Sequence, residues 1–491
     1  MTLLSARDTI KTGRPKGPSK EYGVRMYDLA VIGTGPAGHR AAMQAAKLRK
    51  RVVAIDARGP VGGVSVHTGT IPSKTLREAV LYLTGFRQRG IYGLSYQVKP
   101  NITVADLLFR CDQVVHNEVD VLMAQFARNG VDLRHGEASF IDPTHLSVRL
   151  PNGDEDVLEA ANIVIASGTK PAHTARIPIN GTTIIDADGV YSLNDIPRTL
   201  TVAGAGIIGV EYACIFAALG SKVTVVDKRS TILEFLDHEI LEALMYHMRE
   251  EGVTFRFGEE VTAVAEVEGR VVVQTKSNKT ITSDCFLYAV GRMGNTEGLR
   301  LENAGISVDE RGRIPVDASF QTCVPHVYAC GDVIGFPALA SSSMEQGRLA
   351  AAHAFGMHSG RMSPWVPYGV YTIPEISMVG ASEEELTAAA VPYESGIARY
   401  KEIARGQIIG DRNGLLKLLV HPETRKLLGV HIIGEGATEL IHIGQAVIAL
   451  GGTLDYLVEN VFNYPTLAEC YKVAALDAYN KLGAAKVPLV I

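Results

Sequence analysis

The sequence predicts an α/β chain with two Rossmann-like dinucleotide-binding domains, and an internal echo is the main reason. The segment YDLAVIGTGPAGHRAAMQAAKLRKRVVAID starts at Tyr27, and TLTVAGAGIIGVEYACIFAALGSKVTVVDK starts at Thr199. Each reads as an apolar strand, a G-x-G-x-x-G turn, a helix with small residues on its packing face, and a second strand ending in aspartate. From Gly33 to Asp56 is 23 residues, and from Gly204 to Asp227 is 23 again. One such motif is weak evidence. Two, each between strands and each with an acid at the same distance, are strong.

The order of residues in each copy has a physical reason. Gly33 makes the tight turn, Gly35 lets the backbone approach a pyrophosphate, and Gly38 lets the helix pack closely on the strand. Gly204, Gly206 and Gly209 repeat the arrangement. Pro36 and Ile207 follow the second glycines, where a helix N-terminus offers unpaired N–H groups and positive dipole to phosphate. Asp56 and Asp227 are placed to accept hydrogen bonds from an adenosine ribose. Two adenine-dinucleotide sites in one chain imply electrons passing between two dinucleotides, a flavin and a nicotinamide.

A chain of 491 residues is too long for one core, so about two to four domains are expected. The net charge of −5 offers no basic footprint for nucleic acid. The six cysteines (111, 214, 285, 323, 330 and 470) are scattered and read as reduced, mostly buried thiols of a cytoplasmic protein. The apolar window 202–220 is interrupted by Glu211 and a glycine-rich turn, so no membrane span is expected. The N-terminal stretch has no apolar h-region and reads as a disordered tail, with Met26 a candidate start.

Three further segments extend the frame. IVIASGTKP (163–171) is a buried strand turning at Gly168, a crossover between domains, and CFLYAVGRMGNT (285–296) is a second, turning at Gly291. HVYACGDVIG (326–335) ends a strand at Gly331-Asp332, where an acid can reach a polyol chain. The order of these motifs resembles the pyridine nucleotide–disulfide oxidoreductase family, and the likeness covers nearly everything from Tyr27 onward. It implies FAD on the first unit, NAD(P) on the second, and Asp332 on the flavin ribityl chain. It also implies a C-terminal α+β interface domain, with YTIPEISMVG in it, that joins a two-fold homodimer. The domains expected are a tail (1–26), an FAD-binding domain in two parts (27–165 and 291–358), an NAD(P)-binding domain (166–290) and the interface domain (359–491). The same likeness assigns Gly62, Gly63, Ser65, Gly69, Thr70, Lys74, Ala138, Gly168, Gly331, Ala340, Gly291 and Tyr464 to the cofactor sites, and expects a cis bond between Tyr464 and Pro465.

In GGVSVHTGTIPSKTL (62–76) the family's two redox cysteines would stand at Ser65 and Thr70. Its proton-handling histidine would stand at Tyr464 in NYPTLAE, where Glu469 is retained. Tyrosine, with an unperturbed pKa of about 10, is a poor proton shuttle near neutrality. Losing both thiols and the histidine together indicates a different reaction. The hydride-handling half remains: Lys74 stands where the family places a lysine beside the flavin, and Glu211 where it places the ion-pair partner, the expected catalytic pair. TGTIPSKTLREAV, QTCVPHVYACGDVIGFPALAS and FNYPTLAECYKVAAL resemble the branch that moves hydride between NADPH and NAD+ by ping-pong through reduced FAD. Without a disulfide, electrons leave by the site where they entered. Two other readings fit: an NAD(P)H diaphorase or quinone reductase, and a non-catalytic flavoprotein that senses nucleotide redox state.

Asp227 alone favours NAD(H), because a carboxylate repels a 2′-phosphate. Lys228 and Arg229 follow it, placed either to contact that phosphate or as solvated charges on a loop. His67 lies in the flavin-facing loop, placed either to contact the isoalloxazine region or, the favoured reading, to pack. His39 has no role assigned by the sequence, and His431, Glu435 and His442 read as dimer or surface contacts rather than metal ligands.

Overall fold

A computed structural model describes residues 25–93, 95–358 and 360–483. Strand β1 (Arg25–Ile32) enters the first glycine turn, helix α1 (Pro36–Lys47) leaves it, and β2 (Val52–Asp56) returns parallel to β1. The strand begins earlier than expected. Residues 25 and 26, assigned by sequence to the tail, pair with Leu158 and Glu159. Residues 1–24 of that tail lie outside the described residues.

β1 sits between β2 and the strand Glu155–Ile165 in a seven-stranded sheet. That 11-residue strand shares one edge between two partners. His145–Arg149 runs antiparallel along its first half, and Val327–Ala329 runs parallel along residues 163–165. The chain therefore leaves this sheet after Ile165 and returns to it at Val327. Between them it builds a five-stranded parallel sheet in the order 254–257, 222–227, 199–203, 285–288, 184–186. A short antiparallel ladder, Thr169–Pro171 against Arg292–Gly294, ties the outgoing and returning chain together. Residues 368–433 add the third of the large sheets, five-stranded and antiparallel, after a small three-stranded sheet within 261–283.

Two packing features hold the site. Helix Ala340–Ala354 crosses α1 so closely that a Cβ on Gly347 would lie 2.0 Å from the Ala37 carbonyl oxygen. Two helices follow the first βαβ unit, α2 (Gly63–His67) and α3 (Thr70–Leu83). Leu76 and Val80 of α3 join Tyr212 and Phe216 of helix Ile207–Ala218, and Val370 and Ile376 of the third sheet, in one buried cluster. Each buried aliphatic side chain there contributes about 1.5–3 kcal/mol relative to exposure. The helix that carries Lys74 is thus gripped by both other domains.

Lys417, on strand Leu415–Val420, is 1% exposed and reaches Asp237 at 2.9 Å, Glu383 at 3.1 Å and Glu239 at 3.2 Å. Asp237 caps helix His238–Glu250, so this buried cluster joins the second unit to the third sheet. His431, on the neighbouring strand, is fully buried as well, and its Nε2 donates to the Ala381 carbonyl at 2.9 Å. It is an internal brace, not the dimer or surface contact expected from sequence. Removing one member of a buried pair strands the other charge. Lys417→Met should cost about 3 kcal/mol, seen as a clearly lower midpoint of thermal inactivation; an unchanged midpoint would mean that water already solvates these acids.

Candidate active site

The two glycine turns are one device built twice. Gly33 has φ +101° and Gly204 φ +107°, a region that residues with a Cβ rarely adopt. A Cβ at these positions would lie 2.3 Å from the Ala166 carbonyl oxygen and 2.4 Å from that of Ala289. The third glycines are constrained by space: a Cβ on Gly38 would lie 1.9 Å from Gly33 O, and one on Gly209 1.9 Å from Gly204 O. Added methyls at Gly168, Gly206 and Gly291 would instead meet nothing within 4 Å, so these backbones face open space.

A cleft of about 420 Å³ lies over the first turn. Its walls include Gly33, Gly35, Pro36, Asp56, Gly63, Ser65, Thr70, Ala138, Gly168, Gly331, Asp332 and Ala340, all singled out from sequence. Gly38 packs beneath the turn, while Gly62 and Gly69 precede α2 and α3 as their N-caps. Ser65 and Thr70 put hydroxyls where the resemblance places the family's two thiols. Cys330 also lines the cleft, but burial pushes its thiol up to about 12, leaving it inert at neutral pH.

The donor set of this cleft suits an adenine dinucleotide. Asp56 Oδ2 accepts the Thr34 N–H at 3.0 Å and its hydroxyl at 2.5 Å, while Oδ1 accepts only the Arg58 N–H, at 2.9 Å. Thr34 Oγ1 also accepts the Gly62 N–H at 3.1 Å, tying the turn to α2. Sequence reasoning missed Thr34. Burial raises the pKa of Asp332, whose contacts from Thr169 and Ser343 are long at 3.4 Å each. Its carboxylate keeps acceptor capacity for the hydroxyls of a polyol.

Lys74 and Glu211 are brought together. Lys74 Nζ donates to Glu211 Oε2 at 2.6 Å, and the Glu211 side chain is 6% exposed. Glu211 Oε1 accepts the Tyr371 N–H at 2.8 Å, and the Tyr371 ring lies 4.9 Å from Lys74 Nζ. The first unit supplies the cation, the second the anion, and the third domain the clamp. Tyr371 carried no signal in the sequence.

The second turn treats its acid differently. Asp227 Oδ1 accepts the Arg229 N–H at 2.8 Å and Nε at 3.0 Å, while Oδ2 accepts Nη2 at 2.7 Å and the Ala205 N–H at 2.6 Å. Burial alone would raise the Asp227 pKa, but these bonds outweigh it and hold the carboxyl below its ordinary range. Lys228 is exposed beside it. Among the described residues no cation pairs with Asp56 in this way.

The remaining candidates are settled by their contacts. His67 donates Nε2–H to the Val61 carbonyl at 2.9 Å, a loop brace. His39 meets Phe126 edge-on at 5.1 Å, and burial lowers its pKa to about 4, so the ring is a neutral packing group. Glu435 pairs with Arg87 at 2.9 Å, and exposed His442 bonds Gln445 at 2.8 Å. Tyr464, joined to Pro465 by the expected cis bond, is 71% exposed and lines neither turn within this chain.

The model of the pyridine nucleotide-disulphide oxidoreductase family matches residues 27–347, and that of its dimerisation domain matches residues 366–475. A soluble pyridine nucleotide transhydrogenase of Mycobacterium tuberculosis (strain ATCC 25177 / H37Ra) is 54% identical over 462 residues, covering 94% of this chain and 99% of that protein. One from Pectobacterium atrosepticum is 45% identical, covering 93% and 98%. Among solved structures, LpdA from Mycobacterium tuberculosis aligns with a TM-score of 0.86 at 26% identity, over 92% of this chain and 99% of that one. The HOCl-induced flavoprotein disulfide reductase RclA from Escherichia coli aligns at 0.81 and 28%, with the same coverage. No described helix is long and apolar enough to cross a membrane.

Proposed function

The chain belongs to the pyridine nucleotide-disulphide oxidoreductase family, and on that premise we propose that it transfers hydride from NADPH to NAD+, giving NADP+ and NADH, with no disulfide involved. The observation that carries this reading is the Lys74–Glu211 bond between the two dinucleotide units, kept intact beside Ser65 and Thr70. The family is FAD-dependent, and the chemistry FAD supplies when bound is to take a hydride from one nicotinamide and yield it to another. Asp56 and Asp332 would hold its ribose and polyol hydroxyls, and the first turn its pyrophosphate. Lys74 presents a fixed positive charge where negative charge develops, and Glu211 keeps that ammonium from wandering. Ser65 and Thr70 can accept no electron pair, so the second nucleotide is the outlet. The domain matching the dimerisation model exposes Leu450, Val461 and Tyr464 at 87%, 93% and 71%, surface that a second copy would cover in a cytoplasmic homodimer.

One pocket serving both nucleotides needs a tolerant acid. Arg229 neutralises Asp227, so a 2′-phosphate meets little net repulsion there, whereas Asp56 has no cationic side chain paired with it among the described residues. Replacing Lys228 and Arg229 by alanine should weaken NADPH binding by about 10–100-fold, in line with about 1.5–3 kcal/mol for charged hydrogen bonds, and NADH binding far less. Equal losses would defeat the assignment. The activity itself is tested without oxygen, by mixing the yellow protein with NADPH and thio-NAD+ and following thio-NADH. Sustained turnover supports transhydrogenation. Bleaching without turnover favours a diaphorase, and failure to bleach with either reduced nucleotide removes the enzyme reading.

A further inference from the structure

Three aromatic rings, each from a different domain, form a row that the assigned chemistry does not use. Phe235 lies 5.8 Å from Tyr368, and Tyr368 lies 5.9 Å from Phe336 with the two planes 18° apart. Each end of the row is anchored near one of the sites described above. Phe235 sits on the loop between Asp227 and Asp237, two residues after Leu233, whose N–H donates to the Ala205 carbonyl in the second glycine turn at 3.2 Å. Tyr368 opens the short strand Tyr368–Val370 that leads directly to Tyr371, the residue against Lys74 and Glu211. Phe336 falls between Asp332 and Ala338, two walls of the first cleft. The row thus runs from the loop over the second glycine turn, past the strand that leads to Tyr371, to the segment between two walls of the first cleft.

Phe336 is unusual within it. The ring is 80% exposed, although one face already stacks on Tyr368. Leaving an aromatic face in water forgoes most of its burial free energy, and stacked rings favour a flat partner over an aliphatic one. A nicotinamide nucleotide brings such a partner at the end opposite its adenosine.

We propose that Phe336 is a positioning residue of the second nucleotide site, its open face stacking on the nicotinamide end of the substrate with Tyr368 and Phe235 as backing. This rests on the assignment of the second unit to NAD(P)(H). The row would hold the nicotinamide ring at the mouth of the site while the adenosine end stays at Asp227, favouring exchange of one nucleotide for another at a single door.

The test is equilibrium binding to the flavin-loaded protein, comparing NADP+ with 2′,5′-ADP, which carries the same adenosine end but no nicotinamide. Phe336→Ala should weaken NADP+ about tenfold, as losing one base–aromatic stack does, and leave 2′,5′-ADP unchanged. Phe336→Tyr should restore the affinity, and in turnover the alanine variant should raise KM more than it lowers kcat. Equal weakening of both ligands would mark the ring as structural and overturn the proposal, as would no change in either. A shift in oligomeric state without a loss of NADP+ affinity would give the ring to a subunit contact, with the same consequence. If the unaltered protein binds neither ligand, the nucleotide assignment itself fails, a result distinct from these.

Discussion

Lys74→Met should leave the protein yellow and able to bind NADPH, yet slow hydride delivery about 10²–10³-fold, the usual cost of removing one pre-placed charge-stabilising group. The expected signature is a slow anaerobic loss of flavin absorbance with a nearly unchanged NADPH dissociation constant. Methionine keeps an unbranched side chain of similar length but removes the ammonium, and with it the contact to the Tyr371 ring. It also leaves Glu211, 6% exposed, with the Tyr371 amide as its remaining partner at 2.8 Å. That stranded charge costs stability independently of the reaction. The double variant Lys74→Met/Glu211→Gln separates the two effects, because it should recover stability without recovering rate. Glu211→Gln alone keeps one acceptor, for Lys74 or for the Tyr371 N–H but not for both, and should be reduced faster than Lys74→Met because the ammonium remains. If Lys74→Met is reduced as fast as the parent, the positive charge plays no part in the transfer.

The parts of this site that were legible in the sequence are those fixed by local backbone demands. Gly38 and Gly209 recur at one spacing because no Cβ fits 1.9 Å from a carbonyl oxygen, so the chain has no alternative at those positions. The insertion of the second unit into the first was expected from the family resemblance and not from any local demand of HVYACGD. Thr34 is different. Its counterpart in the second turn is Ala205, and only the fold shows that the threonine hydroxyl bridges Asp56 and the N-cap of α2.

The clamp at Tyr371 and the direction taken by the Arg229 side chain were illegible for a common physical reason. Each residue acts through a partner whose position is decided by packing between domains or by the direction a flexible side chain takes. The sequence placed Arg229 next to Asp227 but left open whether it turned outward; two side-chain bonds show that it folds back onto the acid. Lys417 in the run LLKLLV is another instance. A lysine in a buried strand reads as an interruption until Asp237, 180 positions earlier, is found to meet it. The start of β1 at Arg25 likewise depends on pairing with a distant strand, which no local pattern announces.

Because the turns are duplicates, equivalent lesions in them should have separable consequences, and Gly209→Val is expected to have the larger effect on nucleotide use. A Cβ there would stand 1.9 Å from Gly204 O, against backbone that cannot swing aside, so the turn or its helix must move by more than an ångström. A displacement of that size at a ligand-orienting element costs about 10²-fold or more. The variant should stay yellow, because the first turn is untouched, and should resist reduction by NADPH and NADH alike. Gly38→Val places the same clash 1.9 Å from Gly33 O and should instead yield protein that loses its flavin on purification. The pairing controls for general misfolding, since both variants carry the same substitution against the same kind of contact. Cofactor retention read from the visible spectrum and nucleotide reduction read without oxygen should move in opposite members of the pair. If Gly209→Val remained fully reducible while Gly38→Val kept its flavin, the two units would not hold the nicotinamide and the flavin in that order, and the route from Asp227 past Tyr371 to Lys74 would have to be redrawn.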